Sequence, residues 1–418
     1  MDHIPLLAGG FLLLFVIRFW LMRGWELVQT YRRDPRIDPG NDVELPDAPP
    51  LISVIVPAHN EEASIGECLK SVLNQDYPRF ELICIDDRSE DRTLCVAESV
   101  CEGYREARVV SVYDLPEGWT GKCRALDAGV KVASGEWLAF LDADSSLHES
   151  TLTHCYHAAS ARGVSMITLS PKFVLKTFWE KALQPTFAAM SCILFPLGKI
   201  NDPTCDTASA NGMFYMISRH AYEKIGGHHD VKDLAVEDIG IGKRVKASGL
   251  GLVFANGRKV LRTRMYTNFK EIVNGWTRIL SASMNYEMAT VLRYLLVHLL
   301  MSVPVLALAL CLYIPEAREL WPDSWFALPV MCGACMIVVP YFYFGQLGVS
   351  TKYSVLLAIG NLMIIWVFAV IVKKILCNDA LQWRGTTYDA SRYKPKRLDP
   401  PASQVYGPPV PSAVEEVH

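Results

Sequence analysis

The sequence lacks the two glycine-rich patterns that most often bind phosphate groups in α/β proteins. The loop after the first predicted strand contains no Gly-x-Gly-x-x-Gly, and no Walker A motif occurs in the chain. These absences argue against a dinucleotide-dependent oxidoreductase and a P-loop ATPase. The net charge is only −3, so no basic excess indicates nucleic-acid binding. The 12 Cys show no disulfide-framework spacing, which is typical of a reduced compartment.

Hydropathy is high for a soluble protein and predicts membrane-spanning segments. Hydrophobic residues make up 51% of the 418 residues, and the mean hydropathy is +0.18. Four apolar stretches are long enough to span a bilayer: Ile4 to Met22, Tyr294 to Ile314, Phe326 to Phe344, and Ser354 to Val372. We expect the first to be an uncleaved anchor, because no small-residue cleavage site follows it.

Positive charges beside these stretches predict the orientation in the membrane. The positive-inside rule places the domain after the first stretch in the cytosol, because that stretch is followed by Arg23, Arg32, Arg33 and Arg36. Four spans would return the C-terminus to the outside, whereas a cytosolic tail is favoured by Lys373, Lys374, Lys394, Lys396 and Arg397. Two alternatives remain open: one stretch is re-entrant, or the charge rule does not hold here. We expect an integral protein of the cell or cytoplasmic membrane.

Strand and helix patterns alternate after residue 50 and predict a parallel α/β sheet. The four strand patterns are Leu51 to Pro57, Glu81 to Ile85, Ala107 to Val112, and Trp137 to Leu141. Acidic residues follow three of them: Glu61 and Glu62, Asp86 and Asp87, and Asp142 and Asp144. Ligands bind at the carboxyl ends of strands in such sheets, and carboxylates gathered there repel one another unless a cation or donor groups lie among them. The alternative is a set of solvated loop acids.

Asp142 and Asp144 form an Asp-x-Asp motif at the end of the fourth predicted strand. Two carboxylates suit Mg²⁺ or Mn²⁺, which prefer oxygen ligands and often also bind phosphate oxygens. A solvated loop is the alternative for the motif taken alone. The acids at the other strand ends favour the metal site.

The second half carries an acidic pair and a basic-aromatic cluster. Glu237 and Asp238 begin a predicted helix, where carboxylates can simply complement the helix dipole. The cluster consists of Arg262, Arg264, Trp276 and Arg278. It fits either diphosphate binding, which we favour for Arg278, or anchoring at lipid headgroups.

Two further segments allow more than one interpretation. The apolar stretch Thr177 to Leu197 fits either a core helix or an interfacial helix that guides a lipid. His228, His229 and Asp230 are adjacent and cannot easily converge on one ion, so we expect a loop there rather than a metal site.

Five segments resemble the motifs of family-2 glycosyltransferases with a GT-A fold. They are Val54 to Glu62, Ile85 to Asp91, Gly121-Lys122, Leu141 to Asp144, and Val236 to Asp238. Their order and spacing match the family over roughly Leu51 to Asn285. The resemblance implies an α/β, GT-A (Rossmann-like) nucleotide-sugar-binding domain with transmembrane helices on its N- and C-terminal sides.

The resemblance also implies roles for individual residues. Asp86 or Asp87 would contact the uracil or ribose of a UDP-sugar, with Pro57 and Glu61 beside the nucleotide. Lys122 would face the phosphates. Asp142 would face the nucleotide and sugar and share the Mg²⁺ or Mn²⁺ ion held by Asp144. Asp238 would be the catalytic base, with Glu237 in a supporting role.

The C-terminal third is most similar to membrane-bound enzymes associated with carotenoid and hopanoid pathways. The strings that carry this similarity are Ala221 to His228, Thr263 to Tyr266 with Glu271 and Gly275-Trp276, and Trp383 to Tyr388. They imply an inverting, UDP-sugar-dependent transferase of EC class 2.4 that acts on a lipid or isoprenoid-type acceptor at the bilayer. The alternatives are a processive polysaccharide synthase, which usually carries Trp where this chain has Ile279, and a non-enzymatic membrane scaffold built on a transferase-like domain.

The expected organisation has five parts. They are an N-terminal anchor (1–23), a linker (24–50), a cytosolic GT-A domain (51–290), C-terminal transmembrane helices (291–373) and a tail (374–418).

Overall fold

The computed structural model describes residues 10–22, 25, 35–313, 327–346, 348–377, 379, 381–383 and 386–388. Several sequence predictions lie outside these residues: the start of the anchor before residue 10, Arg23, Arg32, Arg33, most of the linker before residue 35, Ile314, Phe326, Lys394, Lys396, Arg397 and most of the tail.

The first half alternates strands and helices as the sequence predicts. Its elements are α1 (Gly10–Met22), β1 (Ile52–Ala58), α2 (Ile65–Leu73), β2 (Phe80–Asp87), α3 (Thr93–Cys101), β3 (Ala107–Val112), α4 (Gly121–Val132), β4 (Trp137–Leu141), β5 (Ser145–Leu147) and α5 (Thr151–Ala161). Helix α4 begins at Gly121. The Thr120 side chain caps it by accepting a hydrogen bond from Cys123 N at 3.2 Å.

The second half is richer in helix. Its elements are β6 (Met166–Ser170), β7 (Lys172–Phe173), α6 (Phe178–Leu194), α7 (Leu197–Ile200), β8 (Phe214–Ser218), α8 (Arg219–Lys224), a 3₁₀ helix (Gly227–Val231), α9 (Glu237–Ala247), β9 (Leu252–Asn256), β10 (Leu261–Thr263), α10 (Phe269–Ser283), α11 (Met288–Tyr313), α12 (Ala327–Gln346), a second 3₁₀ helix (Thr351–Leu356), α13 (Leu357–Cys377), β11 (Leu381–Trp383) and β12 (Thr386–Tyr388).

The central sheet is mixed, which corrects the expectation of a parallel sheet. Its seven strands lie in the order β3-β2-β1-β4-β8-β6-β9. Strands β1 to β4 are parallel to one another, but β8 runs antiparallel to both β4 and β6. Alternating patterns predicted the first four strands correctly. They carry no information on the direction of β8, which enters the sheet where β4 ends, since Asp142 N donates to Met213 O at 3.2 Å.

Alternating strand residues bury both faces of this sheet. Ile52, Val54 and Val56 of β1 pack on one side, with α2, α3 and α5. Ile55 of the same strand packs on the other side, with α4, α8 and α9. Successive side chains of a strand point to opposite faces, so this alternation is typical of a sheet covered by helices on both faces. The parallel arrangement of β1, β2 and β4 places their carboxyl ends at one common edge.

Helices α6 and α10 join the sheet domain to the C-terminal helices. They form an apolar cluster with α11 and α13 that includes Phe187, Trp276, Leu280 and Phe368. The Gln184 side chain strengthens the junction: its amide donates to Met265 O at 2.7 Å and its carbonyl accepts from Trp276 Nε1 at 2.9 Å. Trp276 is thus a buried core residue, so its interpretation as a headgroup anchor is wrong.

Among the described residues, one helical segment is long and apolar enough to cross a bilayer, Ile359–Cys377 in α13, with a hydropathy of 2.0. It overlaps the last of the four predicted spans. Helices α11 and α12 coincide with most of the middle two spans, and α1 with part of the first. These three spans stay predictions.

Candidate active site

Asp142 and Asp144 lie directly after β4, at the carboxyl edge of the sheet. Ser145 N donates to Asp142 O at 3.0 Å and closes a tight turn. The Asp144 carboxylate accepts from Ser145 Oγ at 3.2 Å and from Thr263 Oγ1 at 3.3 Å. The short sheet formed by β5, β10 and β7 therefore orients Asp144 from the side of β10.

Lys122 bridges two carboxylates from different parts of the fold. Its Nζ lies 2.7 Å from Asp142 Oδ1 and 2.7 Å from Glu237 Oε1. Burial works to lower the pKa of Lys122, but the negative charges of Asp142 and Glu237 outweigh it and hold this pKa well above its ordinary value. Lys122 is therefore a fixed cation between the end of β4 and the start of α9.

Gly121 allows the start of α4 to approach β2 closely. A Cβ atom at this position would lie 2.5 Å from Asp87 Oδ2, which is closer than side chains tolerate. The Asp87 carboxylate also pairs with Arg88, with Nε and Oδ1 2.8 Å apart. A larger residue at Gly121 would push away the turn that presents Lys122.

Asp238 lies in the first turn of α9 with both carboxylate oxygens bound by backbone amides. Gly212 N donates to Oδ2 at 2.6 Å, and Ile239 N donates to Oδ1 at 2.8 Å. Burial raises the pKa of Asp238, and the neighbouring Glu237 carboxylate raises it further, to about 7. The result is a half-buried carboxyl group that titrates near neutral pH.

Glu237 is chemically different from its neighbour. Its burial works to raise its pKa, but the Lys122 ammonium outweighs burial and lowers this pKa below the ordinary value. For Asp142, burial raises the pKa to about 6, reinforced by Asp144 and opposed by Lys122. The three carboxyl groups around Lys122 thus differ in acidity because their surroundings differ.

Gly212 completes the group, and sequence reasoning missed its contribution. A Cβ atom on Gly212 would lie 3.1 Å from both Asp238 Oδ2 and Lys122 Nζ. The residue follows the turn-like Ala210-Asn211, which was the only signal in the sequence. Its small size lets a backbone N–H reach the Asp238 carboxylate.

The other predicted nucleotide residues lie at the ends of β1 and β2. Pro57 and Ala58 are paired in register with Ile85 and Asp86. Asp86 is buried, and its Oδ1 atom accepts no hydrogen bond within the part of the chain that the structure describes. A buried acceptor in this state favours a ligand that donates a hydrogen bond.

Glu61 lies on the same edge of the sheet. Its carboxylate accepts from Ser64 Oγ at 2.9 Å, and its backbone N–H donates to Thr93 Oγ1 at 2.7 Å. These contacts fix the loop between β1 and α2.

The predicted basic-aromatic cluster is divided among separate partners. Arg278 Nη1 donates to Ala235 O at 2.6 Å and Nη2 to Tyr266 Oη at 3.4 Å. Arg264 pairs with the buried Glu180 at 3.0 Å. Arg278 therefore supports the backbone that leads into α9, two residues before Glu237.

His228 lies in the first 3₁₀ helix and is bound by two tyrosines. Its Nε2 and Nδ1 atoms are 2.8 Å and 2.7 Å from the hydroxyls of Tyr215 and Tyr222. Burial lowers the pKa of His228 to about 4, so the ring is neutral at physiological pH. The ring packs inside the fold behind Glu237 rather than serving as a metal ligand with His229.

A metal ion fits the Asp142 and Asp144 oxygens in chemical type but needs further ligands. No group of three or more His, Cys, Asp and Glu side chains within the described residues is arranged to hold an ion. Two carboxylates suit Mg²⁺ or Mn²⁺ when a bound diphosphate supplies the remaining oxygens. The residues present therefore fit a metal that binds together with a nucleotide-sugar.

Comparisons with known proteins show what the chain is similar to. Residues 53–226 match the family model described as glycosyl transferase family 2, which confirms the predicted resemblance for that domain. A protein named 4,4'-diaponeurosporenoate glycosyltransferase, from Staphylococcus aureus strain MRSA252, is 29% identical over 240 residues. The match covers 55% of this chain and 60% of that relative, and the strain USA300 protein of the same name matches equally well.

Two solved glycosyltransferase structures are similar to this chain at low TM-scores. The mannosyltransferase PcManGT from Pyrobaculum calidifontis, in complex with GDP-Man and Mn²⁺, has a TM-score of 0.48 and 18% identity, covering 84% of this chain and 98% of that one. S. aureus TarS has a TM-score of 0.39 and 15% identity, covering 81% and 60%. Both TM-scores are below 0.5, so the α/β assignment of GT-A type rests on the family match and on the mixed central sheet.

Proposed function

We propose that this chain, whose residues 53–226 form a family-2 glycosyltransferase domain, transfers a sugar from a UDP-sugar to a lipid-type acceptor with inversion of the anomeric carbon. The observation that carries the proposal is the environment of Asp238. Two backbone N–H groups hold its carboxylate beside Lys122, and its pKa is raised to about 7. A base with this pKa is matched to proton transfer near neutral pH.

Asp238 takes the acceptor proton while the acceptor oxygen forms a bond to the anomeric carbon. The bond from that carbon to the diphosphate oxygen breaks in the same step, and UDP leaves with the electron pair. Glu237 is a poor base because Lys122 lowers its pKa. Adjacent residues in a helix point about 100° apart, so Glu237 is left to position Lys122.

The donor binds along the carboxyl edge of the sheet. Asp86 or Asp87 contacts the uracil or ribose, and Pro57 and Glu61 lie beside the nucleotide. Lys122 faces the diphosphate when the donor phosphates compete with the Asp142 and Glu237 carboxylates for its ammonium group. Arg278 binds diphosphate only by sharing or giving up its bond to Ala235 O, so its support of the α9 start is the role the contacts favour.

Asp144 and Asp142 would hold a Mg²⁺ or Mn²⁺ ion together with the diphosphate. Such an ion supplies positive charge that stabilises the departing UDP. The chain's own part is to present both carboxylates from one tight turn and to fix Asp144 through Thr263.

The acceptor class is supported by the relatives and by the apolar helices. The relatives are named for a carotenoid acid, and α13 is apolar enough to cross a membrane. An isoprenoid-type hydroxyl or carboxylate is therefore the proposed acceptor. The match spans about 60% of the length of those relatives, so the activity is proposed for this chain on its own residues. We also propose the domain limits that the sequence predicts: the anchor (1–23), the linker (24–50), the GT-A domain (51–290), the C-terminal helices (291–373) and the tail (374–418).

The proposal is tested with the full chain purified into lipid nanodiscs. UDP with Mn²⁺ should raise the melting temperature, and GDP or CMP should raise it much less. Incubation with a panel of UDP-sugars and lipid extract should then yield a glycosylated lipid that mass spectrometry detects. Equal protection by GDP contradicts the UDP donor. Binding of UDP without any sugar-lipid product from the whole panel contradicts the transferase.

A further inference from the structure

A row of four aromatic rings crosses three helices outside the active site. Phe178 and Trp179 begin α6, with ring centroids 5.2 Å apart. Trp179 contacts Phe269, the first residue of α10, at 4.8 Å. Phe269 stacks on Trp366 of α13 at 6.3 Å with an interplanar angle of 16°. The row joins the sheet domain to the helix that is apolar enough to span a membrane.

Three of these rings are largely open to the surroundings. Phe178 is 53% exposed, Trp179 39% and Trp366 45%. Trp366 lies on the same exposed face of α13 as Ile359 and Leu362, because residues three and four positions apart share a helix face. The opposite face of α13 packs in the cluster with α6 and α10. The exposed apolar face of α13 therefore continues onto the first turns of α6 and α10.

Exposed charges beside the row are mainly positive. Lys176 precedes Phe178, Lys270 follows Phe269, and both are exposed. The nearby Glu271 carboxylate is bound to Thr267 N at 2.9 Å. Aromatic rings flanked by lysines are typical of helices that lie in the interface of a bilayer, where lysines meet anionic headgroups.

We propose that Phe178, Trp179 and Phe269 insert into the bilayer beside α13, so that lipid covers the aromatic row. One consequence of this contact is that the lipid acceptor reaches the active site from this side. Only that consequence rests on the proposed function. Glu180 follows Trp179 and pairs with Arg264. Arg264 N donates to the backbone carbonyl of Asp144 at 3.1 Å, so the inserted helix start is connected to the backbone of the residue whose carboxylate is the proposed metal ligand.

The lipid contact is tested without turnover, by quenching of tryptophan fluorescence in nanodiscs that contain dibrominated phosphatidylcholine. The chain has 10 Trp, so the contribution of one ring is read as a difference. Trp179→Phe should reduce the bromolipid-quenched fluorescence at least twofold more than Trp137→Phe does. Trp137 is the matched control because it begins β4 and packs against Tyr156, at the opposite edge of the sheet from Asp142.

A second variant tests the proposal if Trp179→Phe fails to fold, and it is read as a gain of bromolipid quenching. Phe178→Trp places an indole at an exposed position and should increase the quenched fraction. The proposal is overturned if neither Trp179→Phe nor Phe178→Trp changes the quenched fraction relative to Trp137→Phe. That result would mean that water or a second copy of the chain covers the row. Quenching with no sugar transfer would leave the lipid contact standing and would count against the proposed function alone.

Discussion

The ammonium of Lys122 and the carboxylate of Glu237 form an ion pair of 2.7 Å that connects the start of α4 with the start of α9. The same ammonium lies 2.7 Å from Asp142. One cation thus joins the strand end that would bind the diphosphate to the helix that carries the proposed base. Binding of a diphosphate and a metal ion at Asp142 would change the partners of Lys122 and, through Glu237, the charge beside Asp238. Donor binding and activation of the proposed base would thereby be linked through a single side chain.

We expect Asp238→Asn to reduce sugar transfer by roughly 10²–10⁴-fold, the usual contribution of a positioned base. The amide keeps the shape of the side chain but cannot take up the acceptor proton. Thermal protection by UDP with Mn²⁺ measures donor binding and should be retained. Glu237→Gln is the matched control on the same turn and should be milder, because it weakens only the support of Lys122. Near-normal turnover in Asp238→Asn would show that another group removes the proton.

The same variant should change stability in a pH-dependent way. The folded-state pKa of Asp238 is raised to about 7, whereas an unfolded Asp titrates near 3.9. Between these values the folded state binds more protons, so the group makes folding less favourable as pH rises. The amide group of Asn can accept only one of the two backbone N–H bonds that Asp238 accepts, so the linkage predicts the difference between two pH values: the change in melting temperature caused by Asp238→Asn should be more positive at pH 8 than at pH 5. An equal change at both pH values would indicate that Asp238 is not perturbed in the folded chain.

Local patterns in the sequence predicted the strands and their acidic ends. Trp137 to Leu141 had to be a buried strand, and Asp142 and Asp144 therefore had to lie at its carboxyl edge. Patterns could not predict which distant groups meet there. The contact of Lys122 with Glu237, and that of Gly212 N with Asp238, depend on the direction of β8 and the path of the chain through α6 and α7. The direction of a strand depends on long-range packing, which is why the parallel expectation failed at β8.

Removal of the metal or of its main ligand should separate donor binding from folding. Asp144→Asn should abolish the Mn²⁺-dependent part of UDP binding, measured by calorimetry, and should leave the melting temperature without ligand nearly unchanged. The Asn side chain can still accept hydrogen bonds from Ser145 and Thr263, which bind the Asp144 carboxylate. Excess EDTA should remove activity from the unmodified chain. Full activity in EDTA would contradict a metal-dependent donor site.

Acidity should affect hydroxyl and carboxylate acceptors differently. A hydroxyl acceptor needs Asp238 ionised, so kcat/KM should fall as pH drops below about 7, the pKa of Asp238. A carboxylate acceptor is already ionised there and requires no base, so its rate should fall only at lower pH. The measurement compares pH profiles for a long-chain alcohol and the matching fatty acid at saturating donor. Identical profiles with a midpoint near 7 would contradict removal of the acceptor proton as the step that depends on this titration, because an ionised carboxylate has no proton to lose.

The stereochemistry of the product tests the whole arrangement. Asp142 and Asp144, which would bind the diphosphate through a metal ion, are distinct from the proposed base, Asp238. This separation suits attack on the anomeric carbon from the face opposite to UDP. Inversion needs one displacement, whereas retention needs a carboxylate that first bonds to the sugar. Glu237 is poorly suited to that second role because Lys122 binds it at 2.7 Å. We therefore expect an α-linked UDP-sugar to give a β-linked product, which is read from the anomeric proton coupling in NMR. An α-linked product, or a sugar covalently attached to Asp238 or Glu237 in mass spectra of the stopped reaction, would rule out single displacement with Asp238 as the base.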